Sequence, residues 1–171
     1  MADHNSSGGI IECRINGVPA GLGEPCFDKL SADLGKAILS VGAVKGFEIG
    51  DGFGVAKATG LTNNDAFAFD EAGKVMKKTN HAGGILGGIS DGSEIIFRAA
   101  IKPTPSIHAT QETVNKNGEN ISINIKGRHD PVIVPRAVVV VECMAAITVL
   151  DALLVNMSSR VDRIKEFYEK I

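Results

Sequence analysis

Three segments of this chain carry residue types that can bind an anion or move a proton. Gly127-Arg128-His129-Asp130-Pro131 sets a guanidinium, an imidazole and a carboxylate on successive positions. Arg128 can grip a phosphate or carboxylate through two parallel N–H groups. Asp130, next to an imidazole and an arginine, can take or relay a proton once partly desolvated. Lys102-Pro103-Thr104-Pro105-Ser106 adds a second cation, on backbone that two prolines hold extended. Asn80 to Gly92 has five glycines in thirteen residues, as two Gly-Gly pairs around Ile85-Leu86 and a last one at Gly92. Main chain without Cβ atoms can meet a cofactor closely, and successive amides in such turns form an anion-binding concavity. Each segment also has a plain reading: a solvated turn, a strand end, a tight packed loop.

Other chemistries find less support. There is no G-x-S-x-G elbow for a serine nucleophile, no P-loop and no H-E-x-x-H. No G-x-G-x-x-G opens a helix after a strand, so the glycines alone do not make a dinucleotide site. Cys13, Cys26 and Cys143 form no C-x-x-C pair and share no metal-ligand spacing with His4, His81, His108 or His129. They read as free, buried thiols of a reducing compartment. A net charge of −2 argues against a general nucleic-acid binder. The opening residues have no charged-then-apolar targeting pattern. Val132 to Val155 is the most apolar stretch, but Arg136, Glu142 and Asp151 interrupt it, so it reads as a buried helix and not a membrane span. A cytoplasmic protein with no membrane partner is expected.

The elements that must position these segments follow from pattern. A strand is expected over Gly9–Asn16. Phe27, Leu30, Leu34, Ile38 and Val41 fall at steps of three and four, one face of a helix whose first turn suits Pro25. A strand then covers Ala43–Ile49, and Gly50 to Gly54 is a turn without regular structure. Positions 61–79 read as a polar surface excursion. Glu94–Lys102 is a strand, and Asn117-Gly118 marks a hairpin tip. Ile121, Ile123 and Ile125 alternate with polar residues as in a half-buried strand. A long apolar helix opens near Pro135 and runs to about Asn156, and Ile164, Phe167 and Tyr168 suit a short amphipathic helix in the tail. Strand, helix, strand, hairpins and helix predict an α+β fold. With 171 residues there is enough chain for one domain, 1–171, with a core over 8–157 and a tail over 158–171.

In their order and spacing these segments resemble chorismate synthase. The match runs through Gly8 to Glu12, Gly17 to Pro25 and Val44 to Phe53. It continues through Thr79 to Ser90, Lys102 to Ser106, Gly127 to Pro131 and Pro135 to Ala137, with Glu142 in the last long helix. The polar leader before Gly8, the 61–78 excursion and the charged tail lie outside it. The resemblance implies a four-layer helix-sheet-sheet-helix sandwich. It implies conversion of 5-enolpyruvylshikimate 3-phosphate to chorismate by 1,4-elimination of phosphate, with reduced FMN and no net redox change. It implies flavin contacts at Gly42, Ala43, Gly87, Lys102, Pro103, Thr104, Pro105, Ser106 and Arg128, and Asp130 as the carboxylate that assists proton transfer. The family chain is about twice this long, and the likeness is to its C-terminal half. The other half carries two histidines taken as general acids and the arginines that hold the substrate, and none of this chain's histidines matches those motifs. The implied partners are therefore an N-terminal half and further copies, as in the tetramers of the family. The alternative is a non-catalytic fragment that only assembles with a separate N-terminal half; an independent flavin or nucleotide binder is a weaker third reading.

Overall fold

The structure is a computed structural model and describes residues 5–127 and 129–170. Along the chain the elements are β1 (Gly9–Ile15), α1 (Leu30–Leu39), β2 (Val44–Ile49), a 3-10 turn (Gly52–Lys57) and α2 (Gly60–Asn63). Two hairpins follow, β3–β4 (Phe67–Phe69, Val75–Lys77) and β5–β6 (Ile85–Leu86, Ile89–Ser90). Then come β7 (Ile95–Ile101), the hairpin β8–β9 (Gln111–Val114, Asn120–Ile123), α3 (Val134–Met157) and α4 (Val161–Glu169). The expected α+β class holds.

The centre is a three-stranded sheet in the order β1-β7-β2, with β7 antiparallel to both neighbours. β1, α1 and β2 thus form a split β-α-β unit with β7 inserted between its strands. Alternation along β7 assigns the two faces. Ile95, Phe97, Ala99 and Ile101 are buried under α1 and α3, where Leu30, Leu34, Ile38, Val141 and Ala145 meet them. Phe47 of β2 packs on Phe97 with ring centroids 5.3 Å apart. The opposite face is charged. Arg98 sits directly between Glu12 and Glu48 in the register and donates to both at 3.0 Å. Such cross-strand pairs stabilise a sheet face that meets water.

Several expectations need correction. The first long helix starts at Leu30, so Pro25 and Phe27 stand outside it; Phe27 is 95% exposed with φ +56°. The carbonyl of Gly88 takes the Leu30 amide at 2.8 Å, which defines that start better than the apolar stripe does. The segment after Gly50 is a short 3-10 turn, and β9 is exposed along its length rather than half-buried. Cys26 and Cys143 are free but exposed, and only Cys13 is partly covered. Burial, then the nearby Glu142 charge, pushes the Cys13 thiol up from its ordinary range. α3 is not a buried helix within this chain. Only Val141 and Ala145 are buried, while Val139, Ile147, Leu150 and Leu154 are exposed. By length and composition α3 could cross a membrane, but that is also true of core helices in soluble proteins, and α3 packs on α1 and β1.

The 61–79 excursion is more than surface. Lys77 lies within hydrogen-bond reach of Asp91 (2.7 Å), Asn80 (3.1 Å) and Asp65 (3.5 Å), and its side chain is only 3% exposed. Asp65 in turn accepts the Thr79 hydroxyl and the amides of His81 and Ala82. Burial opposes its charge, but the Ala82 amide, the Thr79 hydroxyl, the His81 amide and Lys77 outweigh burial and hold it at about 2. This network seats the Gly-Gly loop against the turn after β2. A Cβ on Gly83 would lie 2.4 Å from the Gly50 amide nitrogen, and Gly83 has φ +66°, so both space and conformation require glycine there.

Candidate functional site

Antiparallel pairing decides which segments can meet. The residues before β1, the residues before β2 and the residues after β7 all emerge at one end of the sheet. At that end Gly8 crosses the last turn of β7 so closely that a Cβ would fall 2.3 Å from the Ile101 carbonyl oxygen. The Lys102 amide donates to the Ala43 carbonyl at 2.9 Å. Ala43 holds φ +71°, a left-handed backbone that a residue with a Cβ adopts rarely and that recurs at functional sites. The Ser6 hydroxyl donates to the Thr104 carbonyl at 2.6 Å, and the Ser7 amide donates to the Pro131 carbonyl at 2.9 Å. The short polar leader therefore stitches the Lys102–Ser106 run to the segment that carries Asp130.

A cavity of about 750 Å³ opens between these segments, and Asn5, Ser6, Ser106, His108, Asn124, Lys126, His129 and Asp130 are among the residues that line it. The imidazoles of His108 and His129 meet edge to face with centroids 5.6 Å apart, and Asn124 donates to the His108 carbonyl. Among the described residues, two buried side-chain polar atoms, Thr104 Oγ1 and His129 Nε2, have no hydrogen-bond partner. Buried polar groups are nearly always paired, so an unmet one on a cavity-lining residue such as His129 marks where a polar ligand would complete the structure. The Asp130 carboxylate is partly desolvated, and Arg136 Nη1 pairs with its Oδ2 at 2.7 Å.

Among the residues the sequence singled out, the structure gathers Gly42, Ala43, Lys102, Pro103, Thr104, Pro105, Ser106 and Asp130 at this end. Gly87 is apart. It lies at the tip of β5–β6, beside the start of α1, while Ala43 follows the end of α1, roughly 15 Å away along a helix of ten residues. Arg128 lies outside the described residues. Asn5, Ser6, Asn124 and Lys126 were missed: isolated polar residues in a leader and a strand end carry no periodicity that would flag them. Arg136 was noted as part of a motif and as a charge within the apolar stretch, but nothing in the sequence shows that it pairs with Asp130.

The family model described as Chorismate synthase matches residues 1–154. This chain belongs to the chorismate synthase family. The match includes the leader, which the motif reading had set aside. A chorismate synthase of Lachnoclostridium phytofermentans is 72% identical over 169 residues, covering 98% of this chain and 46% of that protein. One of Agathobacter rectalis is 71% identical over 167 residues, covering 98% and 45%. A solved structure titled "Crystal Structure of Chorismate Synthase" superposes with a TM-score of 0.74 at 30% identity, over 99% of this chain and 44% of that one. The chain thus spans less than half the length of the curated relatives it matches. α4, from Val161 on, lies beyond the residues the chorismate synthase family model covers.

Proposed function

We propose that this chain is the C-terminal, flavin-binding half of a chorismate synthase, active when joined by the rest of the family-length protein. The supporting observation is the cavity at the end of the sheet, which Ser106 and His129 to Pro131 of the family motifs line, with the unmet His129 Nε2 on a lining residue and the unmet Thr104 hydroxyl two residues before Ser106. Its size suits a cofactor. In this reading Lys102 to Ser106, with Gly42, Ala43 and Arg128, hold FMN through backbone groups and two cations. Thr104 Oγ1 and His129 Nε2 gain their missing partners from it. Reduced FMN supplies electron density and a proton-accepting site to an elimination without net redox change.

The chain's own residues bind, orient and handle a proton. Asp130 holds or moves that proton at the carboxylate oxygen that Arg136 leaves open. The Ser6–Thr104 and Ser7–Pro131 hydrogen bonds keep the two sides of the pocket in register. Gly87 is the member of the proposed set that this geometry separates. The substrate in this reading is 5-enolpyruvylshikimate 3-phosphate, whose remaining contacts and general acids come from the N-terminal half.

Residues 1–171 act as one domain with its core in 8–157 and a tail helix after it, in a cytoplasmic enzyme that assembles as a homotetramer. The remaining layers of the sandwich stack on the apolar face of α3. The outer sheet face, with its Glu12–Arg98–Glu48 ladder, suits water better than another sheet. That favours the order sheet-helix-helix-sheet over helix-sheet-sheet-helix. The same exposed face supports assembly as the minimum role of the chain, should it lack catalysis. Titrating oxidised and reduced FMN into the purified chain, with and without the N-terminal half of a relative, tests the flavin site. Saturable binding that Thr104→Val weakens is expected; no binding in either arm contradicts it.

A further inference from the structure

Asp130 does not stand alone at the pocket. Arg136 Nη1 lies 2.7 Å from its Oδ2, a charge-assisted contact of good length. Both ends of the contact are anchored. Arg136 is in the first turn of α3, where its amide donates to the Ile133 carbonyl at 3.0 Å, so the longest helix of the chain fixes its backbone. The main chain just after Asp130 is fixed by the Ser7 amide on the Pro131 carbonyl. The Arg136 side chain is 76% exposed and that of Asp130 36% exposed. A pair so open to water contributes little to folding stability. Its effect is geometric: it selects one orientation of a carboxylate that lines the cavity.

We propose that Arg136 is the positioning residue for Asp130, holding one carboxylate oxygen so that the other is presented to the pocket. This rests on the reading of Asp130 as the proton-transfer carboxylate of a flavin-dependent enzyme. In this proposal Arg136 acts through Asp130, the one side chain with which it forms an ion pair among the described residues. A guanidinium on a helix is suited to the task, since its planar fork fixes direction as well as charge. Lysine at this position keeps the charge and a donor but loses the fork, so it restores part of the hold.

The test compares Arg136→Ala and Arg136→Lys with the unsubstituted chain, each mixed with the N-terminal half of a relative, reduced FMN and 5-enolpyruvylshikimate 3-phosphate. Arg136→Ala is expected to lower kcat roughly ten- to hundredfold, as misplacement of a reacting group does. FMN affinity and KM stay within about twofold, because an interaction felt only in the transition state is lost. Arg136→Lys recovers most of the rate. An unchanged kcat in Arg136→Ala overturns the proposal, as does a loss that tracks FMN affinity and that lysine fails to rescue.

A second measurement needs no turnover. In chain labelled with 13C at the aspartate carboxyls, the Asp130 resonance at pH 7 moves in Arg136→Ala and returns toward its place in Arg136→Lys. A resonance that does not move shows that Arg136 does not hold Asp130, whatever the kinetics. If the unsubstituted mixture produces no chorismate, the flavin-enzyme reading fails, and the resonance alone decides the role of Arg136.

Discussion

Thr104 has a buried hydroxyl with no partner among the described residues, so this position should trade stability against binding. Replacing it by the nearly isosteric valine removes an unmet polar group, and the ligand-free chain is expected to gain about 1 kcal/mol. FMN affinity should fall roughly tenfold, the equivalent of one hydrogen bond. Thermal melts and flavin fluorescence titration check the two halves of this prediction. Asp130→Asn should keep FMN affinity and lower turnover of the assembled enzyme by roughly a hundredfold or more. The residues of this site were unevenly legible. Ser106 and Asp130 stood out because prolines and a glycine fix the backbone around charged or hydroxylic side chains. Ser6 did not, because its role is a single bond across 98 positions of sequence to the Thr104 carbonyl.

Elements were legible where one periodicity governs them. β1, β2, β7 and α3 lie within a residue or two of their expected bounds, since a short strand pattern or a long, mostly apolar run decides each. The start of α1 was misplaced because its cap is a carbonyl from the distant Gly-Gly loop. The Asp65–Lys77–Asp91 network was illegible for a similar reason: its members are 12 and 14 residues apart in polar sequence. Lys77→Met should leave two carboxylates buried without their cation and cost about 3–5 kcal/mol, measured by denaturant unfolding. Asp65 also makes an acid prediction. Its folded carboxyl, at about 2, is more acidic than in the unfolded chain, so the unfolded state binds the proton first. The stabilisation is complete above the ordinary aspartate value of about 3.9 and is lost as pH falls from there through about 2. Melting temperature should drop over that window, and Asp65→Asn should flatten the drop while lowering the plateau.

For the whole molecule, the decisive surface is α3. Ile147 is 61% exposed, and Leu150 and Leu154 are each 55% exposed, on a helix whose other side packs on α1 and β1. Apolar surface of this kind marks an interface. The likeness to half of a longer chain implied an uncovered apolar face over Pro135 to Asn156, and the structure bears it out, but the apolar run itself does not tell which side packs on α1 and β1 and which stays open. The isolated chain is expected to self-associate. Leu150→Lys with Leu154→Lys should shift it toward monomer in sedimentation velocity with little change in melting temperature, and should prevent rescue by an N-terminal half. A chain that is monomeric before substitution would argue against an interface there.

The central claim is that this chain supplies the flavin-binding half of a chorismate synthase, and chorismate formation tests it most directly. The purified chain and the separately purified N-terminal half of the Lachnoclostridium phytofermentans relative would be assayed alone and mixed, with reduced FMN and 5-enolpyruvylshikimate 3-phosphate. Phosphate and chorismate released in equal amounts only on mixing, at a rate that Asp130→Asn lowers roughly a hundredfold or more, is the predicted result. Turnover by the chain alone, or a tight complex of the two halves that binds FMN and releases nothing, would contradict it.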